Sequence, residues 1–165
     1  MQFVASSRTR ILVFGLIGLQ SGMIAALGML VWLASASAWY RHTIWNVPNI
    51  LASTFYGDSA LRNGFSSMTV PGLALYLALY GLLGAFFGMA VRCRYRRLRV
   101  TLAAVAAALA WYYLSFGLIW NKLNPLVVLY TPDQPMLIGH IIYGALLGRY
   151  PVYLKHAEGE KSEVE

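Results

Sequence analysis

Apolar residues run along this chain in long blocks and seldom alternate with polar ones. Four blocks stand out, Ile11 to Ala38, Pro71 to Val91, Val100 to Trp120 and Pro135 to Tyr150, and the first three contain no charged side chain. Runs this long or this uncharged are not those of ordinary soluble helices. They are rich in Leu, Ala and Gly and lack a two-residue period. In hydrocarbon every peptide group must be bonded internally, so this composition points to helices and away from a β-barrel. The pattern predicts an all-α integral membrane protein with four transmembrane helices, at about residues 11–38, 71–91, 100–120 and 135–152. They form two tandem helical hairpins in a single domain over residues 1–155, and residues 156–165 read as an acidic, solvated cytoplasmic tail.

At 1.5 Å per residue the second and third helices reach roughly 30 Å, the hydrocarbon thickness, and the first is long enough to tilt or project. The fourth is the short one, since Pro135 to Pro151 leaves room for only about 22 Å. It must continue through Pro151, with Arg149 snorkelling to the inner surface, or dip without crossing. The solvated tail and the basic residues before it favour a crossing.

The connections inside each hairpin carry a pattern of their own. Ile44-Trp45-Asn46-Val47-Pro48-Asn49-Ile50-Leu51 and Ile119-Trp120-Asn121-Lys122-Leu123-Asn124-Pro125-Leu126 share I-W-N-x-x-N-x-L. A proline then opens the next helix in each half (Pro71, Pro135), and a Tyr-Gly pair follows (Tyr80-Gly81, Tyr143-Gly144). This predicts a parallel internal repeat about an axis near the membrane normal, with Trp45 matching Trp120 and Asn49 matching Asn124 in depth. The rings of Trp39, Tyr40, Trp45 and Tyr56 suit the headgroup boundary. Asn49 or Ser53 can cap a short helix lying flat there.

Composition agrees with lipid as the solvent: 59% of the 165 residues are hydrophobic and only 12% are charged. The net charge of +7 is not a nucleic-acid footprint, because its distribution follows topology. Arg8 and Arg10 precede the first helix, Arg92, Arg94, Arg96, Arg97 and Arg99 join the second to the third, and Arg149, Lys155 and Lys161 follow the fourth. Ten of the thirteen basic residues thus share one side, opposite Arg41, Arg62 and Lys122, which places both termini and the arginine hinge in the cytoplasm. The hinge should also attract anionic lipid, by about 1 kcal/mol per basic residue near the surface. The first apolar run is too long for the core of a cleaved signal peptide. Cys93, the only cysteine, has no partner for an intrachain disulfide; it is expected to be a reduced bystander, with palmitoylation the alternative.

Candidate chemistry is sparse. Small residues recur at four-residue spacing: Gly18 and Gly22 in the first helix, Gly81 with Ala85 and Gly84 with Gly88 in the second, Ala104 and Ala108 in the third, and Gly144 and Gly148 in the fourth. Such stripes let helix backbones approach closely where lipid supplies no hydrophobic drive. Gln20 and Ser21 are expected to be buried and to bond between helices. His140 is the one histidine inside a predicted span, and an intramembrane ionisable side chain is a functional candidate by default. It is expected to be a neutral imidazole, hydrogen-bonded to Tyr143, Tyr76 or an outer-loop carbonyl. The alternative is ligation of haem or chlorophyll, with His42 as a second ligand and Gly144 leaving room for a flat macrocycle. No carboxylate lies within a span, which disfavours a coupled transporter.

The stretch Gly139-His140-Ile141-Ile142-Tyr143-Gly144-Ala145-Leu146-Leu147-Gly148, with the small-residue stripes of the first helix, resembles uncharacterised bacterial inner-membrane proteins of the YagU-like sort. The resemblance covers two short stretches. It implies a multi-pass protein of the bacterial inner (plasma) membrane and supplies no catalytic residue. The expected function is a non-catalytic accessory or scaffolding subunit of a larger membrane complex, an energy-converting one included, contacting lipids or pigments and other subunits or copies of itself. The alternatives are a small transporter or channel, and a haem- or pigment-binding protein using His140.

Overall fold

The computed structural model describes residues 7–40, 42–62, 64–91 and 97–155, and every regular element among them is helical. Arg92, Cys93, Arg94 and Arg96 of the hinge, and the tail at 156–165, lie outside the described residues. In chain order the elements begin with α1 (Ser7–Trp39), α2 (Asn46–Tyr56), a 3-10 turn (Gly57–Arg62) and α3 (Thr69–Val91). There follow α4 (Arg97–Leu114), one π turn (Ser115–Ile119) and α5 (Trp120–Leu123), which together make one continuous helix, then α6 (Pro125–Tyr130) and α7 (Asp133–Leu147). Three stretches are long and apolar enough to cross a membrane: Ile11–Trp39, Thr69–Val91 and Arg97–Leu123.

The fourth apolar block forms a helix in two pieces. After α7 the chain turns at Gly148 and Arg149 and is helical again over residues 150–155. Pro151 stands in the first turn of that second piece, where a missing N–H disrupts no ladder. Tyr150 and Leu154 are buried there against Ile17, with Val13 and Phe14 alongside, so the segment runs down α1 almost to its first turns.

Packing follows the glycines. α1 packs against both α3 and α7, and α7 in turn packs on α4. A Cβ on Gly84 would stand 2.6 Å from the Gly22 Cα, and one on Gly88 would stand 2.9 Å from the Gly18 Cα, so these four residues form the α1–α3 seam. Gly144 and Gly148 of α7 make the equivalent seam with α4, where added Cβ atoms would meet the Cα atoms of Val105 at 2.5 Å and Thr101 at 2.7 Å. Gly81 differs: it faces only the side chains of Leu19 and Met23.

α2 is more enclosed than its composition suggested. Seven consecutive residues, Val47 to Ser53, are buried, as befits a helix enclosed on all sides. It is admitted by Gly72 of α3, which has no side chain to hold off the Pro48 carbonyl. Neither Asn49 nor Ser53 caps it; its N-cap position is Trp45, without a side-chain cap bond. With α6 it covers one end of the bundle where α3 and α4 scarcely touch.

The two I-W-N segments take unlike conformations. The first leads into α2, with Trp45 half-buried against Phe65, while the second ends a helix, with Trp120 buried at its last turn. Asn49 sits inside α2, whereas Asn124 is the N-cap of α6 and accepts from the Leu126 N–H at 3.2 Å. Proline position explains the difference. Pro125 follows its asparagine and starts a helix there, while Pro48 precedes its own.

In α1, Ser21 is buried without a hydrogen-bond partner for its hydroxyl among the described residues. Gln20, expected to be buried, is exposed: the α1 positions turned inward are Ile17, Gly18, Ser21, Gly22, Ala25 and Ala26, and Gln20 lies on the opposite face with Leu16, Met23 and Leu27.

Candidate functional site: the buried histidine and its tyrosines

The centre of the bundle is aromatic and polar at once. Tyr76 and Tyr80 stand one turn apart on α3, and His140 and Tyr143 stand three residues apart on α7, so each pair shares a helix face. Tyr112 enters from α4. The ring centroids of Tyr76–Tyr80, Tyr80–Tyr143, Tyr80–His140 and Tyr112–His140 are 4.7, 5.1, 5.6 and 5.1 Å apart, in tilted arrangements favoured by aromatic quadrupoles.

His140 is fully buried. Its Nδ1 lies 2.8 Å from the Met136 carbonyl oxygen, which can only accept, so the ring proton is on Nδ1. The lone pair of Nε2 is then left to accept the Tyr80 hydroxyl at 3.0 Å. Both nitrogens are thus engaged in a neutral imidazole, and none is available to a metal unless one of these bonds is broken. Tyr80 is the partner that sequence reasoning missed: Tyr76 and Tyr143 donate instead to backbone, to the Ala26 carbonyl at 2.9 Å and the Tyr80 carbonyl at 2.7 Å. Trp32 Nε1 does the same to the Pro135 carbonyl at 2.9 Å. Each bond uses the second lone pair of a carbonyl, and so ties α1, α3 and α7 together without opening a helix.

The arrangement does not fit a macrocycle. The space beside Gly144 is taken by the α4 backbone at Ala104 and Val105. His42 is exposed after α1 and lines a groove of 550 Å³ with Ser37, Tyr40, Asn46 and Tyr130, apart from His140. Among the described residues no group of three or more His, Cys, Asp or Glu side chains is placed to hold a metal. Next to Tyr76 and Tyr80, the end covered by α2 and α6 encloses a cavity of 20 Å³, walled by Trp111, Phe116 and Trp120. That is room for about one water.

A second polar lattice lies in the cover itself. Thr69 Oγ1 donates to Asn49 Oδ1 at 2.7 Å, and Asn49 Nδ2 donates to the Gly64 carbonyl at 3.0 Å. Asn124 Nδ2 donates to Ser53 Oγ at 2.8 Å and Thr54 Oγ1 at 3.1 Å. Asn49 within α2 and Asn124 outside it therefore pin the helix at positions about one turn apart. Of the hinge arginines, Arg97 and Arg99 are exposed at the start of α4.

No family model matches this chain, and neither does any curated protein or solved structure.

Proposed function

We propose that this protein crosses the bacterial inner (plasma) membrane four times, with both termini and the Arg92–Arg99 hinge in the cytoplasm, and serves as a non-catalytic accessory or scaffolding subunit of a larger membrane complex. The observation that carries the reading is the engagement of His140. The one histidine inside a predicted span spends both nitrogens on its own bundle, as a packing residue would. A fourth crossing is supported by residues 150–155, which extend α7 alongside α1. The orientation is supported by the ten basic residues on one side. α4 and the π turn after it keep a broad apolar flank for neighbours and lipid, with Leu98, Leu102, Leu114 and Leu118 exposed.

Affinity purification from native membranes in a mild detergent tests the proposal. A stable complex of fixed stoichiometry is expected. A protein that purifies alone and moves a solute across vesicles, or one with a visible chromophore lost in His140→Phe, would overturn it.

A further inference from the structure

Gln20 is the one strongly polar side chain on the exposed face of α1 between Leu12 and Val31. Leu12, Leu16, Met23, Ile24, Leu27 and Val31 surround it and are 40–68% exposed. From Ile11 to Gln20 the helix rises about 14 Å, close to half of a hydrocarbon core roughly 30 Å thick. At that depth no water meets the amide, and an amide facing hydrocarbon alone is costly. The side chains buried by α3 and α7 lie on the other face of α1, so the fold does not bring its own partner to Gln20.

We infer that this face of α1 is the contact between two copies of the chain, joined by reciprocal hydrogen bonds between their Gln20 amides. Symmetry favours a second copy as the occupant of this face. Two copies inserted the same way have parallel α1 helices, and a twofold axis along the membrane normal places Gln20 opposite Gln20 at the same depth. A primary amide both donates and accepts, so each supplies what the other lacks. The flanking Leu16, Met23, Ile24 and Leu27 would pack across the axis on either side. The inference rests on α1 being embedded in lipid, and goes beyond the subunit reading in naming the contact.

Disulfide trapping in native membranes tests it, with Cys93 replaced by Ser. Leu16→Cys and Ile24→Cys, each one turn from Gln20, should give covalent dimers under mild oxidation. Leu82→Cys and Phe86→Cys on the exposed face of α3 should not. Adding Gln20→Leu should lower the association constant about tenfold, the loss expected for two interhelical hydrogen bonds, and Gln20→Asn should restore part of it. Single-molecule photobleaching in lipid vesicles reads the same constant without a cysteine. Equal trapping on α1 and α3, or dimers unaffected by Gln20→Leu, overturns the inference. Trapping of α1 to a different protein, with none between copies, overturns it too while leaving the subunit reading intact.

Discussion

The seam between α1 and α3 can be broken by a single methyl group. In Gly84→Ala the new Cβ would stand 2.6 Å from the Gly22 Cα and 2.9 Å from the Gly22 nitrogen, and would press on the Gly18 carbonyl. Carbon atoms rest about 3.5–4.0 Å apart, so the two helices must separate by about 1 Å locally. All of these obstacles are backbone, which no rotamer change can move. Overpacking of this kind costs about 1–3 kcal/mol. The same substitution at Gly81 serves as the control, because its Cβ would meet only flexible side chains and no backbone, Leu19 Cδ1 at 3.1 Å and Met23 Cγ at 3.2 Å. Gly81→Ala is therefore expected to lie close to the parent, because small shifts of these side chains relieve the contact and alanine favours a helix over glycine by roughly 0.5–1 kcal/mol. Reversible unfolding in mixed micelles, or thermal loss of monodispersity on a sizing column, should rank parent and Gly81→Ala together and Gly84→Ala well below. If Gly84→Ala were as stable as Gly81→Ala, the close approach of these backbones would not be what holds α1 to α3.

Tyr80→Phe removes the donor to His140 and strands a buried acceptor, a loss of about 1–3 kcal/mol in the same unfolding assay; an unchanged stability would refute the Tyr80–His140 bond. Asn124→Ala deletes the cap of α6 and the bonds to Ser53 and Thr54 together, so a loss of about 2 kcal/mol is expected, with faster hydrogen exchange confined to α2 and α6. With Cys93 replaced by Ser, Asp58→Cys should react with an impermeant thiol reagent applied from outside the cell and Lys161→Cys only after permeabilisation; the reverse order would invert the proposed topology.

The residues show where legibility stopped. The Gly18, Gly22, Gly84 and Gly88 stripes were readable because a four-residue spacing fixes a helix face, but the spacing alone did not distinguish Gly84 from Gly81, three residues away. Only the partner helix decides which of them meets backbone. Burial of His140 was readable from its apolar neighbours, while its bond to Tyr80 was not, since the two residues are sixty positions apart and Tyr76 and Tyr143 were equally eligible donors. The I-W-N match suggested a repeat, yet a few identical letters do not fix conformation when a proline stands before one asparagine and after the other.

The sequence by itself predicted helices throughout and four crossings; the described residues are helical in every regular element, and three of their stretches are long and apolar enough to cross a membrane. Those properties follow from local quantities, the length, neutrality and period of each run, that need no knowledge of neighbours. The enclosure of α2, the commitment of both His140 nitrogens and the outward turn of Gln20 were decided only by the tertiary structure. Each depends on the rotation of one helix relative to another, and in runs apolar all round no hydrophobic stripe fixes that rotation. Backbone clearance at the glycines and a few hydrogen bonds between distant positions set it instead.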